Sequence, residues 1–431
     1  MIRQTFIAVA LATIAAPPAL AQAQAPATQT TETQSRLESR AADVVALINE
    51  ERSAEDVLAA SFLAQVPAEQ FAQISQQLTS QFGAALGVEE IQHAGPNNAM
   101  VTFRFEKALA SGPMTIEAEA PYLVDGLLLR DIVPINDDAE SISADIEALS
   151  GTKAAWFGPL DGDPVFAYGD ATRQFPLGST FKLYALAAAS RAVTEGRLAW
   201  DDVLTLDSKS FPSGIMQDWS DGAPVTLHTA ATLMISVSDN TATDLVIGAV
   251  GREAVEAEMR ASGHADPQKS MPFLTTREMF TIKASDRAAA YAAADEAHRR
   301  KILATLERDE PSEERVMEVF TSGEPVLIEE IEWFASMRDE LALMRVLAAL
   351  PDDTAREIMR VNPVFSESEV AQWDYVGYKG GSEPGVLNLS WLLRDDAGQW
   401  HMLAVSQMDP TSEIDTSTLV MIAKRILALA E

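Results

Sequence analysis

Ser179 and Lys182 are the residues whose types and spacing most directly suggest chemistry. They open an apolar stretch, residues 183–189, that predicts a buried helix. Residues i and i+3 share one face of a helix, so the lysine amine can reach the serine hydroxyl. A serine hydroxyl is a weak nucleophile until a base removes its proton, and a lysine can be that base only when its pKa falls from about 10.4. The pair therefore predicts an activated nucleophile at a helix N-terminus, where free N–H groups favour negative charge.

The motif Ser238-Asp239-Asn240 occurs once, 59 residues after Ser179. It lies between two helical patterns, residues 227–237 and 241–250, so a loop there directs the serine hydroxyl and the asparagine amide into a cleft. A second S-x-x-K copy, at residues 150–153, contains a glycine and precedes a predicted strand. We interpret that copy as a connector and expect Ser179 to be the nucleophile.

A third motif, Lys379-Gly380-Gly381-Ser382, stands before the strand predicted from Val386. Glycines let a backbone approach a substrate closely, because they have no side chain in the way. Lys379 adds a second cation near the two serines. The three motifs together indicate a cleft that holds a serine nucleophile, a base and a second cation.

In this order, the motifs resemble S-x-x-K, S-D-N and K-T-G of class A β-lactamases and penicillin-binding proteins. Residues 213–217 and 225–244 also look like the corresponding class A segment, and the resemblance covers about residues 153–431. It implies a three-layer α/β sandwich, in which helices cover both faces of an antiparallel sheet. It also implies an acyl-serine intermediate, a small β-lactam or ester substrate, and neither cofactor nor metal.

The resemblance assigns a role to each motif residue. The implied catalytic residues are Ser179, Lys182, Ser238 and Lys379, and the implied substrate-binding residues are Asn240, Gly381 and Ser382. Ser179 would be acylated with Lys182 as base or proton relay, and Ser238 would pass the proton to the leaving group. Lys379 would favour a substrate carboxylate, and Asn240 would hold the substrate amide and Lys182. The backbone N–H groups of Ser179 and Ser382 would form the oxyanion hole.

The sequence also departs from the family pattern. The hydroxyl after the lysine of K-T-G is missing at Gly380, and no E-x-x-x-N occurs between residues 241 and 378. Glu278, 40 residues after Ser238, is the candidate to activate the deacylating water, with a structural surface glutamate as the alternative. Trp219 is a candidate aromatic gate, with plain core packing as the alternative.

These departures leave three functions open. β-Lactam hydrolysis leads, and an esterase or peptidase on the same fold is the first alternative. A non-catalytic protein that binds a β-lactam or a cell-wall peptide is the second. The intact S-x-x-K motif argues against it, because a pure binding module needs no buried nucleophile and base.

Composition excludes several classes of protein. The net charge of −32 in 431 residues repels phosphate backbones and anionic lipid surfaces, so nucleic-acid binding is not expected. The chain has no cysteine, which excludes a cysteine nucleophile, a thiolate metal site and any disulfide. We expect a monomer that acts on a small molecule.

The chain before the motif-bearing part divides into four predicted segments. Residues 1–21 have the charge, apolar run and small-residue site of a cleaved signal peptide, which predicts a periplasmic or secreted protein. Residues 22–35 are predicted to be a flexible leader. Three helical patterns followed by alternating strands at 36–135 predict a small α+β domain, which resembles the ketosteroid-isomerase-like cone fold. Residues 136–152 are predicted to connect it to the domain at 153–431, and no later segment is apolar enough to span a membrane.

Overall fold

The computed structural model describes residues 27–306, 311–367 and 369–430, with side chains from Arg36 onward. The predicted signal peptide lies outside these residues. The chain divides into two compact units: the larger is built from Ala139–Phe365 and Val370–Glu431, and the smaller from the described residues up to Asp138 with Ser366–Glu369. None of the described helices is long and apolar enough to cross a membrane.

The smaller unit is α+β, as predicted. Its helices are α1 (Ala27–Ile48), α2 (Ala54–Val57), α3 (Ala60–Leu63) and α4 (Ala68–Phe82). Its antiparallel strands are β1 (Ala85–His93), β2 (Asn98–Phe105), β3 (Ala108–Ile116), β4 (Val124–Leu127) and β5 (Asp131–Pro134). The strands lie in the order β1-β2-β3-β4, and β5 also pairs with β3. Val101, Phe103 and Phe105 are buried along β2, as their alternation with polar residues predicts.

Two predictions for this unit are corrected. The predicted leader is helical from Ala27, because no glycine or proline interrupts residues 27–66. The single helix predicted over residues 54–65 is broken, because Leu58 and Ala59 are extended and the Ala59 N–H donates to the carbonyl of Val124 on β4. A tertiary hydrogen bond therefore overrides the local helical pattern.

The larger unit holds one antiparallel sheet with the strand order β12-β13-β14-β6-β7. These strands are β6 (Thr152–Pro159), β7 (Phe166–Tyr168), β12 (Trp373–Glu383), β13 (Val386–Asp395) and β14 (Trp400–Met408). Short strand pairs are formed by β8 (Phe175–Pro176) with β11 (Phe334–Ala335), and by β9 (Val203–Thr205) with β10 (Pro224–Thr226). The sheet thus joins strands from both ends of the unit, with helices between them in the chain.

Helices cover both faces of this sheet. The helices of the larger unit are α5 (Ala139–Ala148), α6 (Lys182–Thr194), α7 (Leu227–Ser236), α8 (Asn240–Val250), α9 (Arg252–Ala261), α10 (Thr276–Ala284), α11 (Ala288–Ala292), α12 (Glu296–Leu303), α13 (Glu313–Thr321), α14 (Met337–Ala348), α15 (Thr354–Arg360) and α16 (Thr416–Leu427). Successive side chains of β6 alternate between two cores. Ala154 and Trp156 belong to the core that includes residues of α6 and α7, whereas Ala155 and Phe157 belong to the core that includes residues of α5 and α16. This confirms the predicted three-layer sandwich.

The predicted connector is instead part of this sandwich. Residues 139–148 form α5, whose Ile142 and Ile146 are buried against α16. The spacing i, i+4 of these two isoleucines is the signal for a helix with one buried face. The S-x-x-K copy at 150–153 spans the bend after α5 and the first two residues of β6, and the Lys153 amine donates to the carbonyls of Glu147 and Leu149. Lys153 thus caps a helix C-terminus.

Candidate active site

Ser179 lies on a 3₁₀ turn, Gly178–Phe181, that leads directly into α6. Ser179 is half-buried, and the residues on either side of it are buried. The Leu177 N–H donates to the Trp333 carbonyl at 2.8 Å, and the Phe181 ring stacks on the Trp333 ring at 3.5 Å. Packing on both sides therefore fixes the backbone of this turn, Gly178–Phe181, which we call the nucleophile turn after the role predicted for Ser179.

Lys182, the first residue of α6, is completely buried. Its amine donates to the Ser238 carbonyl at 2.8 Å, to Asn240 Oδ1 at 2.8 Å and to Ser238 Oγ at 3.1 Å. Burial lowers the pKa of Lys182 to about 7, against the opposing charges of Asp239 and Asp244. An amine with that pKa is half deprotonated at neutral pH and can accept a proton.

Ser238 lies between α7 and α8 in a left-handed conformation, with φ of 57°. This conformation is uncommon for a residue with a side chain, and such strain is concentrated at functional sites. Its hydroxyl oxygen accepts hydrogen bonds from the amines of Lys182 and Lys379, both at 3.1 Å. One hydroxyl therefore joins two buried amines.

Asp239 and Asn240 fix this turn to a neighbouring loop. Asp239 caps α8 and also accepts from the backbone N–H groups of Ile215 and Met216 at 2.7 and 2.8 Å. Gly214 has φ of +116°, and a Cβ there would lie 2.3 Å from the Asp239 carboxyl. Asn240 Oδ1 accepts from Lys182, as the resemblance implied, while the Asn240 amide donates to the Phe211 carbonyl at 3.3 Å. The loop around residues 211–216 thus forms part of the site, and the motif reasoning did not assign it this role.

The third motif lies inside β12 and not before a strand, because its two glycines hide the strand pattern. Lys379 is buried, and its amine donates to Ser238 Oγ at 3.1 Å and to the Gly380 carbonyl at 2.5 Å. Burial and the nearby Lys182 charge lower the pKa of Lys379 well below its ordinary value.

A close contact between two backbone segments requires glycine at position 381 of β12. A Cβ on Gly381 would lie 2.1 Å from the Leu177 carbonyl oxygen and 2.3 Å from the Ser179 nitrogen. A Cβ on Gly178, where φ is +48°, would lie 2.8 Å from the Ser382 nitrogen. The strand and the nucleophile turn therefore touch backbone to backbone, which brings the backbone nitrogens of Ser179 and Ser382 near each other.

The two further candidates, Glu278 and Trp219, make contacts typical of structural residues. Glu278 forms a capping box with Thr275 at the start of α10, and its carboxylate also accepts from Arg252 at 2.6 and 2.9 Å. Trp219 is half-buried and packs against the larger core. For both residues, the contacts favour the structural alternative named above.

A comparison with known families supports the class of protein. Residues 139–320 match the model of the β-lactamase enzyme family. This segment contains Ser179, Lys182 and the Ser238 motif. Lys379 lies outside the matched segment, on strand β12. The larger unit is therefore a β-lactamase-like serine hydrolase.

Solved structures of this class are similar at low sequence identity. A β-lactamase from Sphaerobacter thermophilus DSM 20745 is 21% identical, with 68% of this chain and 94% of that chain covered and a TM-score of 0.48. PBP-A is 18% identical, with 68% and 94% covered and a TM-score of 0.47. A β-lactamase from Francisella tularensis is 12% identical, with 66% and 96% covered and a TM-score of 0.46. Among curated proteins, no sequence matches this chain.

Proposed function

We propose that this protein hydrolyses β-lactams through an acyl-enzyme at Ser179. The observation that carries the proposal is the Ser238 hydroxyl, which accepts from two buried amines, Lys182 and Lys379, at 3.1 Å each. Such a chain of hydroxyl and amines moves protons between a nucleophile and a leaving group without a histidine or a metal.

The acylation step follows from this arrangement. Neutral Lys182 takes the proton of the Ser179 hydroxyl while the oxygen attacks the lactam carbonyl carbon. The N–H groups of Ser179 and Ser382 stabilise the oxyanion. When the C–N bond breaks, the Ser238 hydroxyl gives its proton to the leaving nitrogen and regains one from the Lys182 ammonium. The products are an ester at Ser179 and a secondary amine on the opened ring.

Hydrolysis of simple esters is the second candidate, and Gly380 favours it. Position 380 has no hydroxyl of its own to bind a substrate carboxylate, which weakens recognition of a penicillin relative to a neutral acyl donor. The engagement of Glu278 with Arg252 and Thr275 points the same way, because it leaves that carboxylate unavailable to a deacylating water. Turnover of a chromogenic cephalosporin compared with that of an activated ester separates the two candidates.

Covalent labelling tests the proposal. We expect a penicillin or a fluorophosphonate to add its acyl or phosphonyl group to Ser179, as mapped by mass spectrometry of the digested protein. Ser150→Ala is the matched control, since it removes the serine of the other S-x-x-K copy and should label fully, whereas Ser179→Ala should not label. An adduct on another serine, or none with any acyl donor, would overturn the proposal.

We also propose that the protein is exported. Residues 1–21 carry a positive start, an apolar run and a small-residue cleavage site in the order typical of a signal peptide. Sequencing of the mature N-terminus tests this, and we expect it to begin at Gln22. An intact Met1 on the protein isolated from its own cells would contradict export.

A further inference from the structure

Three ionisable side chains form a buried cluster that the proposed chemistry does not use. Lys283 lies on α10, Glu332 precedes β11, and Glu383 ends β12. The Lys283 amine lies 2.5 Å from Glu383 Oε1 and 4.0 Å from Glu332 Oε1. The side chains of Lys283 and Glu332 are fully buried, and that of Glu383 is 5% exposed. Burial this complete requires that the charges balance.

The charges balance when Glu332 is protonated. Burial and the neighbouring Glu383 charge raise the pKa of Glu332 well above its ordinary value. Within the described residues, Glu332 Oε1 has no hydrogen-bond donor, so an ionised Glu332 would leave a buried oxygen unsatisfied. A protonated Glu332 instead donates to Glu383, and the cluster then holds one cation, one anion and one neutral acid.

One member of the cluster supports the nucleophile turn. Glu332 Oε2 accepts from the N–H of Trp333 at 2.9 Å. The Trp333 carbonyl binds the Leu177 N–H, and the Trp333 ring stacks on Phe181, so both ends of the turn rest on this residue. Movement of Glu332 would therefore move the backbone of Ser179.

A second member supports the other oxyanion donor. Glu383 directly follows Ser382 and, as alternate residues of a strand, shares a face with Gly381 and Lys379. Along this face, Lys379 contacts Ser238, Gly381 contacts the Ser179 turn and Glu383 contacts Lys283. The ion pair with Lys283 thus holds the end of β12 at the position where Ser382 presents its N–H.

We propose that Lys283, Glu332 and Glu383 are positioning residues that set the distance between the N–H groups of Ser179 and Ser382. The inference rests on the proposed acyl-serine function. The oxyanion exists only in the transition state and the tetrahedral intermediate, so displaced donors slow acylation without weakening the initial non-covalent complex. The cluster therefore acts on the rate constant of acylation.

The test compares variants of the full chain in stopped-flow acylation by a chromogenic cephalosporin. We expect Lys283→Met and Glu332→Ala to lower the acylation rate constant about 10–100-fold. This decrease is no larger than the one caused by removing a hydrogen-bond donor from an oxyanion hole. The dissociation constant of the initial complex should change less than about twofold. Glu332→Gln should keep the wild-type rate, because its amide replaces the proton that Glu332 donates to Glu383.

Glu258→Gln is the matched control. Glu258 is a buried carboxylate that pairs with the half-exposed Arg191 near the far end of α6, so its loss removes a carboxylate of similar burial away from the oxyanion donors. It should leave acylation unchanged. Wild-type acylation in Lys283→Met or Glu332→Ala, equal slowing in Glu332→Gln and Glu332→Ala, or equal slowing in the control would overturn the positioning role. If Lys283→Met does not fold, the two Glu332 variants decide; if the wild type forms no acyl-enzyme, the proposed function and this role both fail.

Discussion

At the scale of single residues, the charge state of two lysines governs the site. Lys182 and Lys379 are both buried and approach the same Ser238 oxygen to 3.1 Å. Desolvation and mutual repulsion disfavour two ammonium groups in that space. One of the two ammonium groups therefore loses its proton at a pH far below the pKa of a solvated lysine. A neutral amine is then available at neutral pH without a metal ion or a histidine.

The pH dependence of acylation follows from the pKa of Lys182, which burial lowers to about 7. Protonated Lys182 cannot accept the Ser179 proton, so the rate should rise about tenfold per pH unit below pH 7 and level off above it. The measurement is the second-order rate constant of fluorophosphonate labelling from pH 5 to 9, with a reagent that does not ionise in this range. A rate independent of pH would show that another group is the base.

A second residue-scale prediction concerns Glu278. Glu278→Gln should leave deacylation within about twofold of wild type and cost roughly 1 kcal/mol of unfolding free energy, because a partly buried ion pair with Arg252 is lost. The deacylation rate is measured by mass spectrometry, as the return of free enzyme after a pulse of penicillin. Urea unfolding gives the unfolding free energy. Since Glu278 is held elsewhere, the wild type should show a burst followed by slow turnover of β-lactams. Deacylation slowed more than tenfold in the variant would instead place Glu278 beside the acyl-enzyme.

At the scale of elements, three backbone segments meet at Ser179, the proposed nucleophile. The 3₁₀ turn carries Ser179, the turn between α7 and α8 carries Ser238, and β12 carries Lys379. Each is braced by a buried contact: the Trp333 stack, the Asp239 carboxylate and the close approach of Gly381. The site is thus positioned by rigid elements, which suits catalysis that depends on fixed donors.

The two glycines of β12 allow a matched test of this close approach. Gly381→Ala should lower acylation more than about 100-fold, because its Cβ would meet the Leu177 carbonyl and the Ser179 nitrogen, and backbone cannot give way locally. Gly380→Ala should cost much less, because its Cβ would meet the hydroxyl end of the Tyr378 side chain. Acylation rates and melting temperatures of both variants provide the check. Equal losses in the two variants would contradict the assigned contact.

At the scale of the whole molecule, every assigned site residue lies in the larger unit. This unit has its own two cores, one on each face of its sheet. Its first helix, α5, contributes Ile142 and Ile146 to one of these cores, and Asp145 pairs with Arg425 of α16 at 2.6 Å. The boundary of the catalytic unit therefore falls before α5.

Truncation tests this boundary. A fragment of residues 139–431 should fold cooperatively and label at Ser179 at a rate near that of the full chain. A fragment of residues 152–431 should lose about 3–6 kcal/mol of unfolding free energy, because two buried isoleucines are removed from the core. Circular dichroism melts and labelling rates measure both. Equal stability of the two fragments would show that α5 is not part of the unit.

The sequence by itself determined the motifs of the proposed site and the class of fold. The order of the Ser179, Ser238 and Lys379 motifs is visible because each spans only three or four adjacent residues. The i, i+3 spacing of Ser179 and Lys182 places them on one helical face by local geometry alone. The alternating and helical patterns likewise predicted most strands and helices, because burial on one face leaves a periodic signal.

Only the tertiary structure decided which side chains meet around these motifs. The strand at Lys379 and the helix at Ile142 were missed, because glycines weaken the strand pattern and a short amphipathic helix resembles an acidic linker. In the structure, Glu278 forms an ion pair with Arg252, 26 residues away in the chain, and Lys283 forms one with Glu383, 100 residues away. Such pairs leave no local pattern, since the free energy of a buried ion pair depends on its surroundings and not on its spacing along the chain.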